Sequence, residues 1–199
     1  VKRSQHLPVA HTNRKGVMYY LCRSVTKTGK PRYQFRREPK GEPVEAIPQG
    51  FKISESVNGI VSLVMDRPAQ ILPEEEAAVE AVLHGHPKAC NYRLAVKRDG
   101  IEVYERAGPD VEELIAELAQ HVLMTSKQAD GVRAVADRHA RFTPVLRFVL
   151  TDAEERIFSV ERRCYLGSID GWIKLSPMGP IEKLARQIIP KLDSDAFFD

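Results

Sequence analysis

The chain has 199 residues, 43% of them hydrophobic, enough for one substantial core or for a core plus a small module. No window approaches the ~18 consecutive apolar residues of a membrane-spanning helix, and the opening Val1, Lys2, Arg3, Ser4, Gln5, His6 lacks the apolar run of a signal peptide, so a soluble cytoplasmic protein with no membrane partner is expected. The net charge of +3 conceals an uneven distribution: residues 1–41 carry 11 Lys or Arg against the single acid Glu38, a local +10, and the other 19 basic and 26 acidic residues give −7.

Residues 1–13 mix Lys2, Arg3, His6, Pro8 and His11 without periodicity and read as an arm that is mobile unless a partner fixes it. From Val17 the pattern alternates. Val17, Tyr19, Leu21 and Val25 interleave with Met18, Tyr20, Cys22 and Ser24; Thr28, Gly29, Lys30 and Pro31 then turn the chain into a return strand over 32–37. Strand geometry puts Tyr33 and Phe35 on one face and Arg32, Gln34 and Arg36 on the other, so the basic row is expected to face outward. A second hairpin follows. Phe51 and Ile53 lead through Val57 to Asn58-Gly59, the dipeptide suited to a two-residue turn, and 60–64 return. Between the hairpins the proline- and glycine-rich 38–50 leaves room only for an extended piece around 44–47.

The stretch around Pro68 marks the expected boundary between a basic β module, 1–66, and an α+β domain, 67–199. Pro73 opens a helix with Glu74, Glu75 and Glu76 in its first turn and Val79, Val82 and Leu83 facing inward. A third hairpin turns at Asp99-Gly100. Asp110 caps a helix, with Glu113 completing a capping box and Val111, Leu114, Ile115 and Leu118 on one face. Ser126 caps another. Three strands over 145–150, 156–166 and 172–175 suggest a meander, and Pro180 opens a last helix ahead of a tail ending in Phe197 and Phe198. The fold class expected is therefore α+β: a two-hairpin β module followed by an antiparallel sheet packed against helices.

Four segments resemble a family of uncharacterised bacterial proteins: TKTGKPRY at 26–33, IPQGF at 47–51 with Asn58-Gly59 after it, CYLGSIDGW at 164–172, and PIEKLARQIIPKL at 180–192. The resemblance runs through most of the chain. It implies a bacterial, soluble origin and brings no activity, ligand or catalytic residue to these positions. Ser54, Ser56 and Ser62 stand where larger or aromatic residues are expected in relatives.

Recognisable chemistry is sparse. Thr28-Gly29-Lys30 lacks the earlier glycine of a phosphate-binding loop, since Ser24 stands there, and Pro31 replaces its metal-binding hydroxyl. His84 and His86 flank Gly85 with no second ligand pair near in sequence and read as an exposed helix end. Cys22, Cys90 and Cys164 suit neither a disulfide framework nor a metal knuckle and read as buried free thiols. No metal, cofactor or catalytic residue is assigned.

The charge pattern carries the leading functional reading. Arg14, Lys15, Lys27, Lys30, Arg32, Arg36 and Arg37 are expected to converge on the first hairpin, near Tyr19, Tyr20, Tyr33 and Phe35, as a footprint for nucleic-acid phosphates. The plainer reading is a solvated sheet face that resists aggregation. An interaction or scaffold subunit is the alternative, its partner another protein or a second copy met through Trp172, Phe197 and Phe198. An enzyme of undefined reaction comes third.

Overall fold

A computed structural model of the chain describes residues 8–39, 41–121, 123–166 and 169–197. The protein is α+β, with antiparallel sheets. It divides into two units, residues 1–67 with 130–139 and residues 68–129 with 140–199.

The first unit contains β1 (Ala10–Thr12), β2 (Met18–Val25), β3 (Pro31–Arg36), β4 (Glu42–Pro43), β5 (Phe51–Glu55) and β6 (Val61–Met65). Strand β2 is central. One edge pairs with β3, Leu21 opposite Phe35 and Ser24 opposite Arg32; the other is shared by β1, with Ala10 opposite Tyr20, and β4, with Pro43 opposite Cys22. The residues before Asn13 are therefore not an arm throughout: the Val9 amide donates to Val44 O and the Leu21 amide to Val9 O, so backbone pairing fixes a stretch with no apolar period. Leu21 and Cys22 are both buried, one on each face of the sheet, and Val57 and Val61 bury the second hairpin.

Three loops of this unit share one design. Each begins with a residue bearing a side-chain oxygen, reaches glycine three positions on, and closes at the fifth residue: Asn13 to Val17, Thr26 to Lys30, and Ser56 to Ile60. The side-chain oxygen accepts the amide of the fifth residue at 2.8, 3.1 and 3.0 Å respectively. The glycines, Gly16, Gly29 and Gly59, have φ of 76°, 80° and 77°, the left-handed region in which a Cβ is costly. The second hairpin thus turns through five residues with only Gly59 left-handed, and not through the two-residue turn expected from Asn58-Gly59.

The second unit is built on the sheet β11-β10-β9-β8-β7, formed by β7 (Tyr92–Val96), β8 (Gly100–Ala107), β9 (Arg141–Asp152), β10 (Ile157–Leu166) and β11 (Ile169–Gly179), all antiparallel neighbours. Its inner face presents Ile101, Val103, Leu146, Phe148, Phe158 and Val160. They pack with Val79 and Leu83 of α1 (Pro73–His84) and with Ile181, Leu184, Ala185 and Ile188 of α4 (Ile181–Ile188). Gly100 is fixed by contact: a Cβ there would collide with the Phe148 carbonyl. Asp110 caps helix α2 (Val111–His121) as expected, its Oδ1 accepting the Glu112 amide at 2.8 Å, but the return bond from the Glu113 side chain expected of a capping box is not formed among the described residues. Helix α3 (Ser126–His139) is capped one residue earlier than expected. Thr125 Oγ1 accepts the Gln128 amide and Gln128 Oε1 accepts the Thr125 amide, a reciprocal capping box.

The tail docks on its own unit. Phe197 is 7% exposed within the core, and His86, read above as part of an exposed helix end, is buried and joins the tail to α1. Its Nδ1 accepts the Lys88 amide at 3.1 Å, which leaves the proton on Nε2 to donate to Leu192 O at 3.2 Å. Phe198 lies outside the described residues. Cys22 and Cys164 are buried free thiols, but Cys90 is exposed.

One ion pair joins α1 to the β9–β10 connection. Glu75, 4% exposed, accepts Arg156 Nε at 2.8 Å and Nη2 at 2.5 Å, and also accepts the Leu72 amide at 2.8 Å. Removing one partner of such a pair strands the other charge. Glu75→Ala is therefore expected to lower stability by roughly 3 kcal/mol, read from urea denaturation, while Glu74→Ala on the exposed side of the same turn stays near wild type.

Candidate nucleic-acid interface

The β2–β3 hairpin positions the basic side chains. Gly29 lets the loop close over Thr26, whose hydroxyl holds the Lys30 amide and lies 3.0 Å from Thr28 Oγ1. The chain leaves through Pro31, whose fixed φ suits the start of a strand. Because cross-strand partners share a face, Arg32, Gln34 and Arg36 lie with Ser24, Cys22 and Tyr20, while Tyr33 and Phe35 lie with Arg23 and Leu21.

The seven predicted cations fall into two groups. Lys27, Lys30 and Arg32 are exposed and in no ion pair among the described residues. Arg36 is half-buried and donates to Gln34 Oε1 at 3.1 Å; Arg37 is exposed, its guanidinium 5.9 Å from the Tyr19 ring centroid. Arg14 is committed elsewhere: its Nε and its backbone amide both donate to Glu55 Oε1 at 3.0 Å, and its Nη2 donates to Ser56 O. Lys15 lies against Gly59. The hairpin thus gathers five of the seven, and the loop ahead of β2 keeps two for internal contacts. Apart from Tyr19, which lies against Arg37, the aromatic residues do not join the cations. Tyr19, Tyr33 and Phe35 lie on the opposite face, and Tyr20, which shares the face of Arg36, is half-buried with its hydroxyl donating to Met18 Sδ. This arrangement can meet phosphates more readily than it can stack bases.

In the second unit several ionisable groups are paired around two clefts. Two adjoining clefts of the second unit, about 300 and 420 Å³, share Glu105 and Asp193. Glu105 accepts the Tyr92 hydroxyl at 3.1 Å, and Asp193, at φ 64°, pairs with Lys88 at 2.7 Å. Burial first, and then the Glu105 charge, push the Tyr92 hydroxyl well above its ordinary pKa, so it stays protonated and cannot serve as a base near neutral pH. Among the described residues no three His, Cys, Asp or Glu side chains converge as a metal set. Trp172 lies half-buried on β11 with the Arg147 and Arg163 guanidiniums 4.3 and 5.5 Å from its ring. The polar-x-x-Gly-x spacing at 13–17, 26–30 and 56–60 was available in the sequence as a sign that the basic loop is closed by a side-chain oxygen.

Glu55 sets how much charge the unit keeps free. Burial works against its ionisation, but hydrogen bonds from the Arg14 amide and side chain and from His11 outweigh it and hold its pKa below the ordinary value. A carboxylate lowered in this way contributes fully above its unfolded pKa of ~4.3 and loses that contribution as pH falls through the folded value. Carboxyl-carbon NMR is expected to place the Glu55 midpoint below that of an unfolded glutamate, and Arg14→Ala should move it upward. The chain matches no protein-family model, no curated protein and no solved structure, so a functional reading rests on its own residues.

Proposed function

We propose that the first unit binds nucleic acid through its phosphates, using Lys27, Lys30, Arg32, Arg36 and Arg37 of the β2–β3 hairpin. The observation that carries this reading is the absence, among the described residues, of any ion pair to Lys27, Lys30 or Arg32, while Glu42 and Glu55 pair with Arg23 and Arg14. A fold that neutralised its own charge would spend its acids on the hairpin tip. Residues 1–67 carry 13 basic and five acidic residues, so the unneutralised cations stand in a field of +8 that attracts polyanions and releases their counterions on binding. Tyr33 and Phe35 lie on the face away from Arg32 and Arg36, which favours contact with the backbone of the polymer over base readout.

Binding should weaken steeply with salt, each neutralised phosphate contributing roughly −0.9 to the log–log slope on duplex DNA. The double variant Lys30→Ala/Arg32→Ala is expected to flatten that slope by about two units, whereas Arg14→Ala, whose guanidinium is held by Glu55, leaves it near wild type. Fluorescence anisotropy across a salt series, with circular dichroism to show that the variants are folded, checks both. An unchanged slope in the folded double variant sinks the reading.

A further inference from the structure

Strand β11 lies at one end of the five-stranded sheet. Strand β10 pairs with one of its edges and, among the described residues, no strand pairs with the other. Eleven residues long, it offers a row of backbone N–H and C=O groups to an incoming strand. Pro177 has no N–H, so the usable row runs from Ile169 to Ser176. The opposite edge, β7, has five residues.

We propose that β11 pairs antiparallel with β11 of a second copy about a twofold axis at Trp172, joining two sheets into one. Charge, shape and extent select the same register. Centring the pair on Trp172 sets Asp170 opposite the second copy's Lys174 and Lys174 opposite its Asp170, all on the face that Trp172 shares. Asp170 keeps 67% of its side chain exposed while it contacts Arg163, and Lys174 is exposed with no ion pair among the described residues. On the other face the same register sets Gly171 opposite the second copy's Ile173. A Cβ on Gly171 would meet nothing within 4 Å, and Ile173 is 38% exposed, so the open space beside the glycine receives an apolar side chain that now faces water. The register also opposes Ile169 to Leu175, using the edge from the start of the strand almost to Pro177. The contact is isologous, each copy giving and receiving the same groups. It uses none of the hairpin cations and stands apart from the nucleic-acid reading.

Sedimentation equilibrium of the full chain is expected to show a reversible dimer. Asp170→Lys or Lys174→Asp alone places like charges opposite each other twice per dimer and should raise its Kd about tenfold. The double variant Asp170→Lys/Lys174→Asp restores the cross-strand pairs and should return the Kd to near wild type. Melting curves separate this from any loss of the Asp170–Arg163 contact within one copy. In a Cys90→Ser background, Trp172→Cys faces itself across the axis and should form an intermolecular disulfide on mild oxidation, while Ile173→Cys, facing Gly171, should not. A monomeric wild type, a folded double variant no tighter than the single ones, or crosslinking at 173 in preference to 172 overturns the proposal.

Discussion

A buried amide has to find its partners inside the protein, and Asn13, 5% exposed, finds three. Its Oδ1 accepts the Lys15 and Val17 amides at 3.0 and 2.8 Å, and its Nδ2 donates to Gly59 O at 2.6 Å. The first two bonds close the loop that launches β2. The third ties that loop to the turn of the second hairpin, so one side chain sets two tight loops against each other. Gly59 serves the same contact, since a Cβ there would lie 3.0 Å from Asn13 Nδ2. Arg14, next in sequence, is thereby brought to Glu55, and β3 comes to lie near β6. The orientation of the basic hairpin follows from an uncharged residue.

Charge is sorted within this unit by local geometry. Glu55 takes Arg14 and His11, Glu42 takes Arg23, and Asp66 takes Lys52 at 3.1 Å. These pairs sit at the base and flanks of the strands, and the loop at 26–30 has no acid within its own span. The two sheets also treat their edges differently. Arg32 and Arg36 put like charges along β3, an arrangement that repels a second copy of that strand, whereas β11 alternates Asp170 and Lys174 about a central tryptophan.

Much of the fold was legible because hydrophobic period and turn chemistry agreed. The alternation around Tyr92 and Val103, the acidic first turn after Pro73, and the Asp110 cap each carry their own local cause, and the elements formed there. What escaped was set at long range. Strand β1 has no apolar alternation and exists because the free edge of β2 accepts it. His86 was read from its neighbours in sequence, but it is buried with its ring edge-on to Tyr92 and hydrogen-bonded to Leu192 O, far along the chain. The candidate site was legible as composition and only partly as geometry. Strand alternation put Arg32 and Arg36 on one face, but only Arg32 is exposed and Arg36 is half-buried, and the capture of Arg14 depended on Glu55, which no spacing rule connects to it. The Asn58-Gly59 signal was followed to the wrong turn type because Ser56, two residues earlier, supplies the oxygen that defines the loop.

The division of the chain is not a cut at one point. Residues 130–139 group with the first unit although residues 68–129 of the second come between, and the boundary falls inside the continuous helix α3. A fragment ending at Arg67 would therefore leave part of the first unit behind, and one beginning at Pro68 would carry that part without the strands it groups with.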